Sequence, residues 1–104
     1  MATSSWIAGD LEPDLDIQLT EDGRPADLTG ITAAVLLWTR PDQTTATVDL
    51  TIVDAPTGRV RRTWVAGDTA QVGTHRGRVR VTHANGDPQT FPGDGSRFAW
   101  QIFA

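Results

Sequence analysis

The chain contains no cysteine, no lysine and no tyrosine. Without cysteine there is no disulfide, no thiolate nucleophile and no zinc–thiolate site. That absence suits oxidising and reducing compartments alike. Missing lysine and tyrosine narrow the choice of catalytic groups further. Serine is scarce: Ser4, Ser5 and Ser96 are the only ones, all in an expected arm or loop. None sits in a G-x-S-x-G elbow, so no Ser-His-Asp chemistry is signalled. Long apolar runs are missing too. The longest, Ile31 to Trp38, has strand length and falls well short of the roughly 18 residues a spanning helix needs. No membrane partner is expected. The start, M-A-T-S-S-W, lacks the basic and apolar regions of a signal peptide, so folding in a cytoplasm is expected.

What remains is 104 residues, enough for one domain and too few for two. The net charge of −4 disfavours nonspecific binding to nucleic acid. Its distribution is uneven. Residues 1–52 hold nine acids and two arginines, a net of −7, and residues 53–104 hold four acids and seven arginines, a net of +3. Every cation is arginine, the better interface cation because it is weakly hydrated and pairs bidentately with carboxylates.

Period-two alternation bounded by Gly, Pro, Asp and Asn recurs along the chain and predicts strands. Leu15, Ile17 and Leu19 alternate with Asp16, Gln18 and Thr20. Ile31 to Arg40 is apolar on both faces, as at the centre of a sandwich. Thr44 to Val53 alternates Ala46, Val48, Leu50 and Ile52 with Thr and Asp. Arg59 to Val65 and Thr74 to His83 read as an antiparallel pair. Gln89 to Phe91 and Arg97 to Phe103 complete about seven strands at roughly ten-residue spacing, the sandwich pattern. Gly77, inside a strand, predicts a bulge or a close backbone approach. The expected organisation is an extended N-terminal arm, residues 1–8, and a single sandwich domain, residues 9–104. The expected core is Leu15, Ile17, Leu19, Val35, Leu37, Val48, Leu50, Ile52, Trp64, Val79, Val81, Trp100 and Ile102.

Taken in order, the turn residues resemble the N-terminal domain of phage baseplate upper proteins. The carrying pieces are G-D-L-E-P-D-L-D-I-Q-L, E-D-G-R-P-A-D-L-T-G, T-G-R-V-R-R-T-W-V-A-G-D-T-A-Q-V-G and R-V-R-V-T-H-A-N-G-D-P-Q-T-F-P, from about residue 9 to residue 92. The resemblance implies an immunoglobulin-like antiparallel β-sandwich from a siphophage tail tip. In that family the domain usually precedes a helical linker and a receptor-binding region. This sequence ends soon after Phe91-Pro92, so a virion structural role is expected rather than host-receptor binding.

The candidate interface residues are Trp6, Ile7, Asp10, Glu12, Asp14, Asp16, Arg61, Arg76, Arg78 and Arg80. The four acids alternate and would share one face if the segment were extended. Calcium needs six to eight converging oxygens, usually from a loop. A solvated face, or one that meets arginines, is the simpler reading. Arg76, Arg78 and Arg80 share a strand face, near Arg61 if the two strands pair. Like charges side by side destabilise a sheet, so an acidic protein face should offset them; a solvated edge is the alternative. Nucleic acid is disfavoured by the overall charge and by the lack of aromatic platforms nearby. His75 and His83, about 26 Å apart along one strand, cannot share a metal. Trp38, Trp64 and Trp100 are read as core. Trp6, in the arm, would either fold back over the sandwich or, with Ile7, anchor in an adjacent subunit on assembly, the simpler reading.

The expected function is a noncatalytic structural subunit of a tailed-phage virion, most simply a minor tail or tail-tip (baseplate) protein made in the host bacterial cytoplasm. It would take no cofactor and would contact other virion proteins, tail-tip or capsid subunits, in multiple copies. A capsid decoration protein is one alternative. A carbohydrate-binding module, which needs exposed tryptophan, is another.

Overall fold

Alternating buried and exposed residues generate eleven strands and, among the described residues, no helix. The computed structural model describes residues 4–92 and 97–104. The strands are β1 (Ser4–Ile7), β2 (Leu15–Gln18), β3 (Thr20–Glu21), β4 (Arg24–Pro25), β5 (Ile31–Thr39), β6 (Thr45–Asp49), β7 (Thr51–Asp54), β8 (Arg59–Arg62), β9 (Gly73–His83), β10 (Pro88–Phe91) and β11 (Phe98–Phe103). A six-stranded sheet runs β1-β11-β9-β5-β6, with β10 also paired to β9. A three-stranded sheet runs β2-β8-β7, and β3 and β4 form a separate hairpin. The fold is an all-β, immunoglobulin-like sandwich. Residues 1–3 of the expected arm, and Ser96, lie outside the described residues.

Inward residues of both sheets meet in one core. Leu15, Ile17 and Val60 come from the small sheet; Leu36, Trp38, Val79, Val81, Trp100 and Ile102 come from the large one. Gly77 makes the close approach its position predicts. A Cβ there would sit 2.8 Å from Leu36 Cδ1, beneath the Trp100 ring. Gly58 is equally constrained, because a Cβ would collide with the carbonyl oxygens of Ala26 and Leu19 while φ is 76°.

Four expectations need correction. First, β8 does not pair with β9; it lies between β2 and β7 in the other sheet. The ten residues between β8 and β9 cross the sandwich instead of making a tight hairpin. Second, β5 turns Ala34, Leu36 and Trp38 inward, leaving Val35 and Leu37 half-buried on the outer face. A run that is apolar on both faces does not itself specify which parity faces the core. Third, the segment 44–53 is two strands. It breaks at Leu50, whose N–H donates to Ala34 O, so β6 joins the large sheet and β7 the small one. Fourth, β1 is an edge strand paired in parallel with β11, and Trp6 is only 5% exposed. Trp6 is therefore a core residue and not a free anchor. Its Nε1–H donates to Pro13 O, and its ring meets Trp64 edge-on at 5.3 Å.

Candidate protein-interaction surface

The tryptophan cluster fixes the rigid base of the large sheet. Trp38, Trp64 and Trp100 are 1%, 3% and 1% exposed, with ring centroids 5.7–6.2 Å apart. With Trp6 also inside, all four indoles are buried, so none is presented as a sugar or base platform. His75 is fully buried against Trp38 and Trp100. Trp38 Nε1–H can only donate, so His75 Nδ1 accepts at 2.9 Å. The imidazole proton therefore sits on Nε2 and is donated to Gln71 O at 2.8 Å. Burial holds the His75 pKa below the ordinary histidine value, against the opposing pull of the Gln71 carbonyl. His83 lies elsewhere, bonded to Gln89. No group of three or more His, Asp or Glu among the described residues could hold a metal.

The Gly-Asp and Gly-Asp-Thr pieces of the sequence pattern meet in space. Gly9 N–H donates to Thr69 O, and Thr69 Oγ1–H donates to Asp10 O at 2.7 Å. Beside them the buried Asp68 carboxylate accepts from Val65 N–H at 2.9 Å and from Arg62 at 3.1 Å. These bonds pin the loop that carries Trp64 against the segment following β1. The Asp-Leu-Thr-Gly step works similarly. Asp27 accepts from Thr29, whose side-chain hydroxyl and backbone N–H hold its carboxyl below the usual range, and Leu28 is buried.

The candidate interface residues separate into three groups. Asp14, Asp16 and Arg61 come together on the outer face of the small sheet. Arg61 lies directly across from Asp16, with Nε 2.8 Å from its carboxylate and 3.7 Å from that of Asp14. The ordinarily high pKa of Arg61 is raised further by the Asp16 hydrogen bond. Arg61 is thus neutralised within the chain and is not beside Arg76, Arg78 and Arg80, because β8 and β9 belong to different sheets. The four acids do not share one face either, since β2 begins only at Leu15. Asp10 and Glu12 are exposed in the preceding loop and make no ion pair among the described residues.

The second group is the arginine stripe on the outer face of the large sheet. Arg76, Arg78 and Arg80 occupy alternate positions of β9, the central strand. Arg76 is flanked by Thr39 and Ala99, and Arg80 by Val35 and Thr90. Both are exposed, and neither forms an ion pair among the described residues. Arg78 is half-buried beside Leu37 and has an interaction partner. A shallow trough next to the stripe is lined by Leu37, Thr39, Thr45, Thr47, Arg78 and Arg97. The third group is apolar. Ile7 and Phe103 are register partners on β1 and β11, each 52% exposed. Phe103 was not singled out in the sequence, and Val35 and Leu37 were expected in the core; the inward and outward parity of β11 and β5 is what places them on this surface.

Residues 11–89 match the BppU N-terminal domain family. No curated protein matches the chain in sequence. In fold it is similar to CopC from Methylosinus trichosporium OB3b, with a TM-score of 0.55 over 99% of this chain and 85% of that one. At 8% identity this likeness is one of fold alone. The match in sequence spans most of the sandwich, including the Gly-Asp-Thr loop and the turns that shape it, and on that ground the chain belongs to the BppU N-terminal domain family of phage baseplate structural proteins.

Proposed function

We propose that this domain is a noncatalytic assembly subunit at the phage tail tip, docking through the outer face of its large sheet to an acidic surface of another virion protein. The observation that carries this reading is the pair Arg76 and Arg80. They stand exposed on a central strand whose neighbours offer no carboxylate beside them. Ile7 and Phe103 supply an apolar contact at one end of the same sheet face. Apolar anchors with complementary charge around them are how specific protein interfaces are built. The buried tryptophans present no sugar platform, which favours assembly over sugar binding.

The test is the double reversal R76E/R80E. Incorporation into particles should fall on the order of 100-fold, because like charges then face each other across the interface. The melting temperature of the isolated domain should stay unchanged. Wild-type incorporation of the folded variant would refute the reading.

A further inference from the structure

The large-sheet face also carries information about the shape of what it binds. We infer that its occupant is an extended acidic segment of a partner protein, with carboxylates on alternate residues, lying along β9 over β5. This inference rests on the assembly role proposed above and adds the form of the partner.

Three features of the face support it. Arg76 and Arg80 are four residues apart on one strand, about 13 Å at the rise of an extended chain. Arg78 lies between them. An extended segment presents every second side chain on one face at the same repeat, so its carboxylates and these guanidiniums fall into step. A helix repeats its face every three to four residues, about 5–6 Å along its axis, and drifts out of step.

The trough gives the segment a bed. Arg78 of the arginine row lines it together with Arg97, Leu37 and Thr39 form the floor, and Thr45 and Thr47 of β6 form the other side. The floor lies one strand away from each wall, about 4.8 Å, which is the width of a single extended chain. The arginine wall selects carboxylates, while the threonine side offers hydroxyl donors and acceptors. The side chains flanking Arg76 and Arg80, namely Ala99, Thr39, Val35 and Thr90, are all short or branched. They leave these two guanidiniums exposed on the sheet face. A single-stranded nucleic acid also has a regular anionic repeat, but it needs stacking platforms, and all four tryptophans are inside. The chain's net charge of −4 opposes it as well.

Two experiments test the form of the occupant. In the first, the folded domain is titrated at low ionic strength with two peptides of identical composition, Thr-Asp repeated four times and four Thr followed by four Asp. Amide chemical shifts are followed by NMR. The alternating peptide should bind about fivefold more tightly, since it brings roughly two more exposed ion pairs into register. Its shifts should centre on Arg76, Arg80, Leu37 and Thr47, and R76Q/R80Q should abolish them. Equal binding of the two peptides, shifts centred on Arg59 and Arg61, or tighter binding of oligothymidylate would each overturn the inference.

The second uses the missing lysine. In R76K/R80K the new side chains are the only lysines in the chain, so carbodiimide treatment of assembled particles links them to whatever carboxylates lie against them. The links should fall in a partner stretch with acids at every second residue. Links into a helix, or none, would refute the extended form. Failure of R76E/R80E to lose incorporation would instead refute the assembly role, whatever the peptides do.

Discussion

On the small sheet Arg61 lies across from Asp16, whereas on the large sheet Arg76 and Arg80 lie across from Ala99, Thr39, Val35 and Thr90. The small-sheet face pairs Arg61 with its own carboxylates, whereas Arg76 and Arg80 form no ion pair among the described residues. The chain has carboxylates enough to do both, thirteen of them against nine arginines. Their placement, and not their number, is what differs. Arg76 and Arg80, about 13 Å apart along the strand, repel by roughly 0.3 kcal/mol in water-like screening, whereas Arg61 is offset by its carboxylates.

The comparison can be broken by finding that large-sheet residues are structural on their outer side or small-sheet charges dispensable. The largest effect is expected within β1. Trp6→Ala should cost about 3–5 kcal/mol in urea denaturation, whereas Ile7→Ala, one residue along and facing out, should change stability by less than about 0.5 kcal/mol. Equal losses would mean that the outer side of this sheet is also packed for stability. Next comes the small-sheet side. Asp68→Ala strands the guanidinium of Arg62 and the N–H of Val65 in a largely buried place. A loss of about 3 kcal/mol is expected, and a loss below about 1 kcal/mol would make that pair ornamental.

Acid should reveal the inner side of the large sheet. His75 has a folded pKa depressed below 6.5, so its neutral form is the one the fold accepts. Above pH 6.5 both folded and unfolded chains hold it neutral. As pH falls below that value the unfolded chain gains a proton that the folded chain refuses. Stability should fall by about 1.4 kcal/mol per pH unit until the depressed folded pKa is reached. Arg40 adds to this depression, while Asp42 and the Gln71 carbonyl oppose it. Denaturation midpoints of wild type and His75→Gln, compared between pH 7 and pH 5, should show the steeper fall in wild type; parallel curves would refute the assignment. The smallest effect should come from R76Q/R80Q, which removes two exposed charges and should leave stability within about 0.5 kcal/mol. Arg61→Gln should lower the melting temperature instead, by an amount that shrinks with added salt.

Much of this was legible in the sequence. Alternation located the strands, Gly77 announced a close approach, and Trp38, Trp64 and Trp100 are core residues as read. The turn pieces that carry the family resemblance are explained by bonds such as Thr69 to Asp10, which join segments 59 residues apart. What was not legible was pairing. S-S-W-I is too short and too polar to declare itself a strand, and its partner is almost a hundred residues away at Trp100. The same blindness put Arg61 beside Arg76, because neighbouring strands in sequence usually pair and these cross between sheets. In β5, four consecutive apolar residues left Val35 and Leu37 indistinguishable from Leu36 and Trp38.

The parallel pairing of β1 with β11 has a mechanical consequence. Ser4 stands level with Trp100 and Ile7 with Phe103, so the two strands point the same way. Tension applied between residue 4 and residue 103 would slide one strand along the other and load all the ladder's hydrogen bonds at once. An antiparallel terminal pair pulled from its open end would instead peel one bond at a time. Shear of this kind raises the force needed for rupture, and the inward indole of Trp6 must leave the core in the same event. The domain is built to resist stretching along this edge.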